Sequence, residues 1–277
     1  MRENKEGTDY GLRFMAEVLK AEHLHWGYFP EKKFSGDQMT FAEVKKAQLE
    51  YTKHLFSFIP DNVKSILDVG AGLGKTASLL MEKGYQVHCL SNDKYQQTKI
   101  NERYPEIPFT KSKFEESNLG KQFDLVLMSE SVQYLKWNKA LQKLDEVLKP
   151  GGFLLTSDYY RKEDGSFYQT CKVREVFEAA TKDKFNLIKE DDITDNILPT
   201  LDFAIFSFNN YILPAANIFS EAIQNSTPGF VRFMAKVFLG KQLAKAKHYI
   251  WEHTPEKFDR VKFKQELYYL MQLWQKK

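Results

Sequence analysis

The stretch Gly70-Ala71-Gly72-Leu73-Gly74-Lys75-Thr76, preceded by the apolar run Ile66-Leu67-Asp68-Val69, has the residue types of a loop that meets a charged ligand. Glycines let the main chain turn left-handed and approach a ligand closely. The closing Gly-Lys-Thr suggests a phosphate cradle, but that loop needs four residues between its first glycine and the Gly-Lys pair. Only three separate Gly70 from Gly74, and Asp68 beside them would repel a polyphosphate. The dinucleotide pattern is damaged as well, because its third glycine would stand at position 75, which is Lys, and its second strand would close on an acid where this chain has Leu90-Ser91. Lys75 and Thr76 then read as the exposed first turn of the following helix.

What Asp68 suits is a cation. An acidic side chain at the mouth of a glycine loop can hold an ammonium directly or through water while the backbone at Gly70, Ala71 and Gly72 lies against the ligand. S-adenosylmethionine, an amino acid joined to a nucleoside through a sulfonium, fits that description. LDVGAGLGKTA resembles the first motif of class I S-adenosylmethionine-dependent methyltransferases, and LKPGGFLL, about 80 residues on, resembles the motif that follows their fourth strand. The resemblance covers roughly residues 40 to 195.

A finer likeness points to a branch of that superfamily. LHWGYF followed by TFAEVKKAQLEYTKHL is similar in order to the N-terminal region of small-molecule and lipid methyltransferases, among them tocopherol-type and sterol methyltransferases and cyclopropane fatty acid synthases. The resemblance implies that Trp26 to Phe29 fold over the cofactor, with Tyr28 in contact, and that Ala47-Gln48 start the next helix. It places Ser91 and Gln96 on the ribose and Asn92 at the adenine edge, with Asp93 an alternative for the ribose. Phe114 is expected against adenine, Glu115 in place of an acid for the adenine amine, and Ser129 near the methionine part. Cyclopropane synthases carry a Glu-His pair and a Cys where this chain has Gln133-Tyr134 and Ala71, so cyclopropanation is not expected.

Methyl transfer is an in-line displacement, so the protein must align a nucleophile and, for some acceptors, remove its proton. His25, in the expected lid, is the first candidate base; Glu130 and Tyr134 follow the fourth strand and join it as catalytic candidates. Each has a plain alternative: a capping or surface histidine, or residues that only shape a loop. His23, His248 and His253 lack a motif, and no metal site is expected.

These residues require particular elements beneath them. From Ser65 onward, apolar runs (ILDV, QVHCLS, IPFTKS, FDLVLMS, GFLLTSDYY, FNLIKEDDI) alternate with helical patterns (TASLLMEKG, KYQQTKINERY, Asn138 to Leu148, VREVFEAATKD). Such alternation predicts an α/β, doubly wound, Rossmann-like and mostly parallel sheet, with ligands at the C-terminal ends of its strands. The aromatic-rich ELYYLMQLW supplies a seventh strand. The expected organisation is an N-terminal helical lid over residues 1–60, a cofactor-binding core over 61–197, a helical insertion over 198–260 that caps the acceptor, and a final strand of the core over 261–277. Phe203, Phe206, Phe208, Tyr211, Phe230 and Phe233 of the insertion either line a lipophilic acceptor pocket or build a helical core.

Composition bounds the partners. With 40 basic and 37 acidic residues the net charge is +3 and well mixed, which gives no electrostatic reason to expect nucleic acid. Cys89 and Cys171 have neither metal-ligand nor redox spacing, which favours a reduced intracellular protein. The first residues, MRENKEGTDYG, lack a signal peptide's apolar core, and Thr200 to Phe219 is broken by Asp202, Asn209, Asn210 and Pro214. The expectation is a cytoplasmic methyltransferase without a transmembrane segment, using S-adenosyl-L-methionine and releasing S-adenosyl-L-homocysteine. Its acceptor would be a small apolar or amphipathic molecule, and a homodimer is admitted. The rival readings are a P-loop nucleotide-binding protein and a non-catalytic cofactor-binding one.

Overall fold

A computed structural model of the chain describes residues 10–31, 37, 39–229 and 254–277. The expected alternation is realised as β1 (Ser65–Val69), α3 (Lys75–Glu82), β2 (Gln86–Ser91), α4 (Lys94–Arg103), β3 (Phe109–Lys111), β4 (Phe123–Ser129), α5 (Trp137–Val147), β5 (Leu148–Arg161), α6 (Arg174–Lys182) and β6 (Phe185–Asp192). Two helices precede them, α1 (Tyr10–Glu17) and α2 (Phe41–Phe56), and α7 (Thr194–Ser207) and α8 (Leu213–Ser226) follow. A last strand, β7 (Leu267–Lys276), completes a seven-stranded sheet in the order β3-β2-β1-β4-β5-β7-β6. β1 to β5 run parallel, while β7 is antiparallel to both β5 and β6.

The central strands β1, β4, β5 and β7 place apolar side chains on both faces and are buried on both, while the edge strand β6 is mostly exposed. Ile66, Leu125, Leu127, Leu155 and Met271 face one apolar layer with Tyr51 and Leu55 of α2, Leu80 of α3 and Ile197 of α7. Leu67, Val126, Met128, Leu154 and Trp274 face the other, with Leu144 of α5 and Phe177 of α6. α2 starts at a capping box in which Thr40 and Glu43 satisfy each other's backbone N–H groups, worth about 1 kcal/mol.

One boundary departs from expectation. The sequence places the final strand over 261–277, but Arg260–Glu266 are helical, with the Asp259 side chain accepting from Lys262 N; the strand starts at Leu267, where alternation begins. The described part of the insertion is helical, α7 running through a π-helical turn at Phe208–Ile212 into α8. Phe230, Phe233, His248 and His253 lie outside the described residues. Among the described residues no helix is long and apolar enough to cross a membrane.

Candidate active site

The strand order reverses between β1 and β4, and in doubly wound sheets the crevice at that switch point is the ligand site. Asp68 lies there, one residue before the end of β1. Its carboxyl is 3 % exposed and Oδ2 has no hydrogen-bond partner. Burial alone pushes it up to about 7, because an ionised carboxylate without a partner is costly away from water.

The loop beyond Asp68 is shaped by glycines that cannot be exchanged freely. Gly70 has φ +81°, and a Cβ there would stand 2.6 Å from Ser131 Cβ, in the space that lets the Ser131 hydroxyl donate to Val69 O. Gly72, at φ +56°, would meet Leu24 Cδ1 at 3.2 Å. Gly70 N donates to Leu90 O, tying the loop to the end of β2. The Lys75 ammonium stands 3.9 Å from Glu22, and the side chain is half-buried, not exposed as expected from the sequence.

A strap, residues 20–29, crosses the strand ends from the glycine loop toward α7. Gln48 of α2 clamps it from below, its Nε2 donating to His23 O and His25 O. Trp26 N donates to Glu130 Oε1, Gly27 N to Thr200 Oγ1, and Phe29 N to Asn196 O. Ala47, the other half of the Ala-Gln pair, leaves room for Gly27, where an added Cβ would lie 2.6 Å from Ala47 Cβ.

Past β4, Glu130 adopts φ +54°, a left-handed conformation that costs a non-glycine residue about 1–2 kcal/mol. That turn brings its carboxyl under the strap, where Oε1 accepts from Trp26 N at 3.2 Å and from the Tyr269 hydroxyl at 2.7 Å. Burial raises Glu130 to about 7, opposed by those two hydrogen bonds and by the charge of Lys257. Behind it the Tyr51 hydroxyl donates to Ser157 Oγ at 2.6 Å and lies 3.1 Å from Ser129 Oγ and 3.0 Å from the Tyr269 hydroxyl. Asp158, inside the C-terminal half of β5, is also buried and raised, to about 8; the Glu130 charge adds to the rise, while Tyr159, Gln133 and Val132 N–H groups pull it down.

The structure redistributes several roles expected from the sequence. Tyr28 does not face the cofactor side: its ring stacks on His54, centroids 4.6 Å apart, and His54 Nε2 meets Asp191 of β6. Four strand spacings of about 4.8 Å, roughly 19 Å, separate β6 from β1. His25 is buried with both ring nitrogens engaged; Nδ1 donates to Trp26 O at 2.9 Å, and Nε2 lies 3.1 Å from His23 Nδ1. Burial and the neighbouring His23 hold it down to about 3, so it stays a neutral structural ring at ordinary pH instead of a proton acceptor. Tyr134 is 74 % exposed on a one-turn helix at the rim.

On the nucleoside side, Ser91 is buried at the end of β2 with Oγ accepting from Asp93 N, and the Asp93 carboxylate caps α4 by accepting from Gln96 N at 2.8 Å. Capping occupies Asp93, while the Gln96 side-chain oxygen is buried without a partner. Asn92 is exposed beside them, and Phe114 is fully buried under the same edge. Glu115, expected near the adenine amine, accepts instead from Lys136 N at 2.7 Å. Phe203 and Phe208 are buried, Phe203 against Phe29, Met39 and Ala47, so they build core; Tyr211 is 61 % exposed.

Tyr51, Ser157, Asp158 and Tyr269 were not singled out by sequence. All four lie inside a helix or a strand, where the pattern marks them only as core, and Tyr269 lies some 140 residues from Glu130 along the chain. Only the φ of Glu130 and the pairing of β5 with β7 bring them together.

Comparison with known proteins agrees with this geometry. Residues 67–156 match the sequence model of the methyltransferase domain family. A search of curated proteins returned no match. Among solved structures, a putative sarcosine dimethylglycine methyltransferase from Galdieria sulphuraria has a TM-score of 0.67 at 17 % identity, over 96 % of this chain and 98 % of its own. Geranyl diphosphate C-methyltransferase from Streptomyces coelicolor A3(2), solved with Mg2+, geranyl diphosphate and S-adenosyl-L-homocysteine, has 0.67 at 14 % over 95 % and 93 %. The [4+2]-cyclase SpnF has 0.66 at 16 % over 95 % and 92 %. At these identities the likeness establishes the class I methyltransferase fold.

Proposed function

We propose that this chain, built on a class I methyltransferase domain, is an S-adenosylmethionine-dependent methyltransferase of a small acceptor. The observation that carries the reading is Asp68: a carboxyl buried at the switch point of the sheet, with an oxygen left without a partner beside glycines whose missing side chains leave room for a ligand. A polyphosphate would meet repulsion there, whereas an ammonium supplies the missing charge and hydrogen bond. Asp68, Gly70, Ala71 and Gly72 would hold the amino acid part, and Ser91, Asn92, Gln96 and Phe114 the nucleoside.

When bound, the cofactor supplies a methyl group activated by its sulfonium and leaves as S-adenosyl-L-homocysteine. The protein's part is alignment and proton handling. Glu130 is the proposed base. Its Oε2 accepts none of the hydrogen bonds that fix Oε1, and a carboxyl poised near 7 can take a proton from an acceptor hydroxyl or amine at neutral pH. Trp26, Tyr159 and Tyr269 surround it with aromatic surface, which favours an apolar or amphipathic acceptor.

A thermal-shift screen with S-adenosyl-L-homocysteine and with Mg-ATP tests the cofactor. Stabilisation by the former alone is expected, and stabilisation by Mg-ATP alone would overturn the reading. Methyl transfer from radiolabelled cofactor to a panel of phenols, amines and prenyl compounds then tests the reaction; a protein that binds the cofactor but labels nothing in the panel would favour a non-methylating use of the fold.

A further inference from the structure

The reading of Glu130 as base leaves a question that its own residues do not answer: why one carboxyl oxygen is free to work while the other is held. The answer lies in two phenols from opposite ends of the chain. Tyr269, on β7, donates to Glu130 Oε1 at 2.7 Å and is fully buried. Tyr51, on α2, lies 3.0 Å from the Tyr269 hydroxyl and is equally buried. A phenol has one proton to give. Tyr51 spends its own on Ser157 Oγ at 2.6 Å, so the Tyr269 proton points to Glu130. The Ser129 hydroxyl, 3.1 Å from Tyr51, can donate to it and complete the chain.

We propose that Tyr269 is a positioning residue for Glu130: its hydroxyl, oriented by Tyr51, pins Oε1, keeps the carboxyl aimed under the strap, and reserves Oε2 for the acceptor proton. The inference rests on the proposed base role of Glu130. The step it serves is balanced: the acceptor's O–H or N–H proton passes to Oε2, its freed electron pair forms the bond to the methyl carbon, and the electron pair of the broken C–S bond stays on sulfur. The proton leaves Glu130 afterwards to solvent. Tyr269 keeps its own proton throughout, since burial raises its phenol far above its ordinary value. A hydrogen bond to the ionised form also favours that form, so Tyr269 restrains the rise that burial imposes on Glu130.

The titratable groups facing Glu130 are Tyr51 of α2, Asp158 and Tyr159 of β5, Tyr269 of β7 and Lys257 of the one-turn helix Thr254–Lys257. The test reads Glu130 itself and needs no acceptor: a carbon-13 NMR titration of glutamate-labelled protein saturated with S-adenosyl-L-homocysteine, the Glu130 signal assigned by its loss in Glu130→Gln. Expected is a midpoint near neutrality in the unaltered protein and a rise of about one pH unit in Tyr269→Phe, a tenfold fall in the ionised fraction below the midpoint. Tyr51→Phe should produce a smaller shift of the same sign, since it loosens Tyr269 without removing it. An unmoved midpoint in a folded Tyr269→Phe that still binds the homocysteine product overturns the positioning role and leaves the base reading standing. A Glu130 that titrates in the ordinary carboxylate range in the unaltered protein removes the base reading instead. If Tyr269→Phe does not fold, Tyr51→Phe alone decides, with an unmoved midpoint counting against the proposal.

Discussion

If Asp68 holds the cofactor's ammonium as proposed, cofactor binding is a titration. In the free protein its carboxyl is held at about 7 by burial without a partner, whereas an ammonium at Oδ2 would hold it ionised. Binding at low pH must therefore expel a proton, and affinity falls as pH drops through 7. The fraction of free protein already ionised is about one half at pH 7, about one in eleven at pH 6 and about one in a hundred at pH 5. S-adenosyl-L-homocysteine should thus bind about tenfold more weakly at pH 6 than at pH 8, and about a hundredfold more weakly at pH 5, near 2.7 kcal/mol. The linkage has a second face. Because the folded carboxyl lies above its unfolded value, its contribution favours the fold below about pH 4 and is lost as pH rises through 7; ligand restores it by supplying the partner. Calorimetry in two buffers of different ionisation enthalpy checks both affinity and proton release, with circular dichroism confirming the fold at each pH. Asp68→Asn, nearly isosteric, should weaken binding at least tenfold at pH 8 and flatten the profile. A flat profile in the unaltered protein, or an unchanged slope in Asp68→Asn, would refute the assignment of the ammonium to Asp68.

Other substitutions separate the geometry from its alternatives. Gly70→Ala forces a Cβ to within 2.6 Å of Ser131 at φ +81°, so a cost of about 1–3 kcal/mol in a melt and a more than tenfold loss of homocysteine-product affinity are expected; near-normal binding would show that the loop yields. Tyr28→Leu should leave that affinity within about twofold, since the ring packs on His54 beside β6, and a large loss would return Tyr28 to the cofactor. The His25 ring should show no titration by proton NMR between about pH 5 and 9, being held at about 3. His25→Ala should lower stability by about 1–3 kcal/mol because Trp26 O loses its donor; a ring that titrates near 6.5 would reinstate it as a base candidate.

Much of the fold was legible because it is written in local periodicity. Ile66-Leu67, Leu125 to Met128 and Leu154-Leu155 alternate between the two apolar layers, and glycines end the turns between them, so strand count and the parallel core follow from residues near one another in the chain. The placement of Asp68 at the end of β1 and of the glycines in the turn after it was legible for the same reason, since both follow from spacing within a few residues. Roles that depend on partners distant in sequence were not. Sequence cannot tell that Asp93 and Glu115 are occupied by helix-start and loop N–H groups, that Tyr28 crosses to the far edge of the sheet, or that His25 has both nitrogens taken. Nor does the alternation in ELYYLMQLW distinguish Tyr269 from its neighbours; only the antiparallel insertion of β7 beside β5 carries that hydroxyl to Glu130. Short-range spacing thus determined what the chain could hold. Burial and hydrogen bonding across the sheet decided which side chains remain free to act, because each donor and acceptor that packing consumes is withdrawn from chemistry.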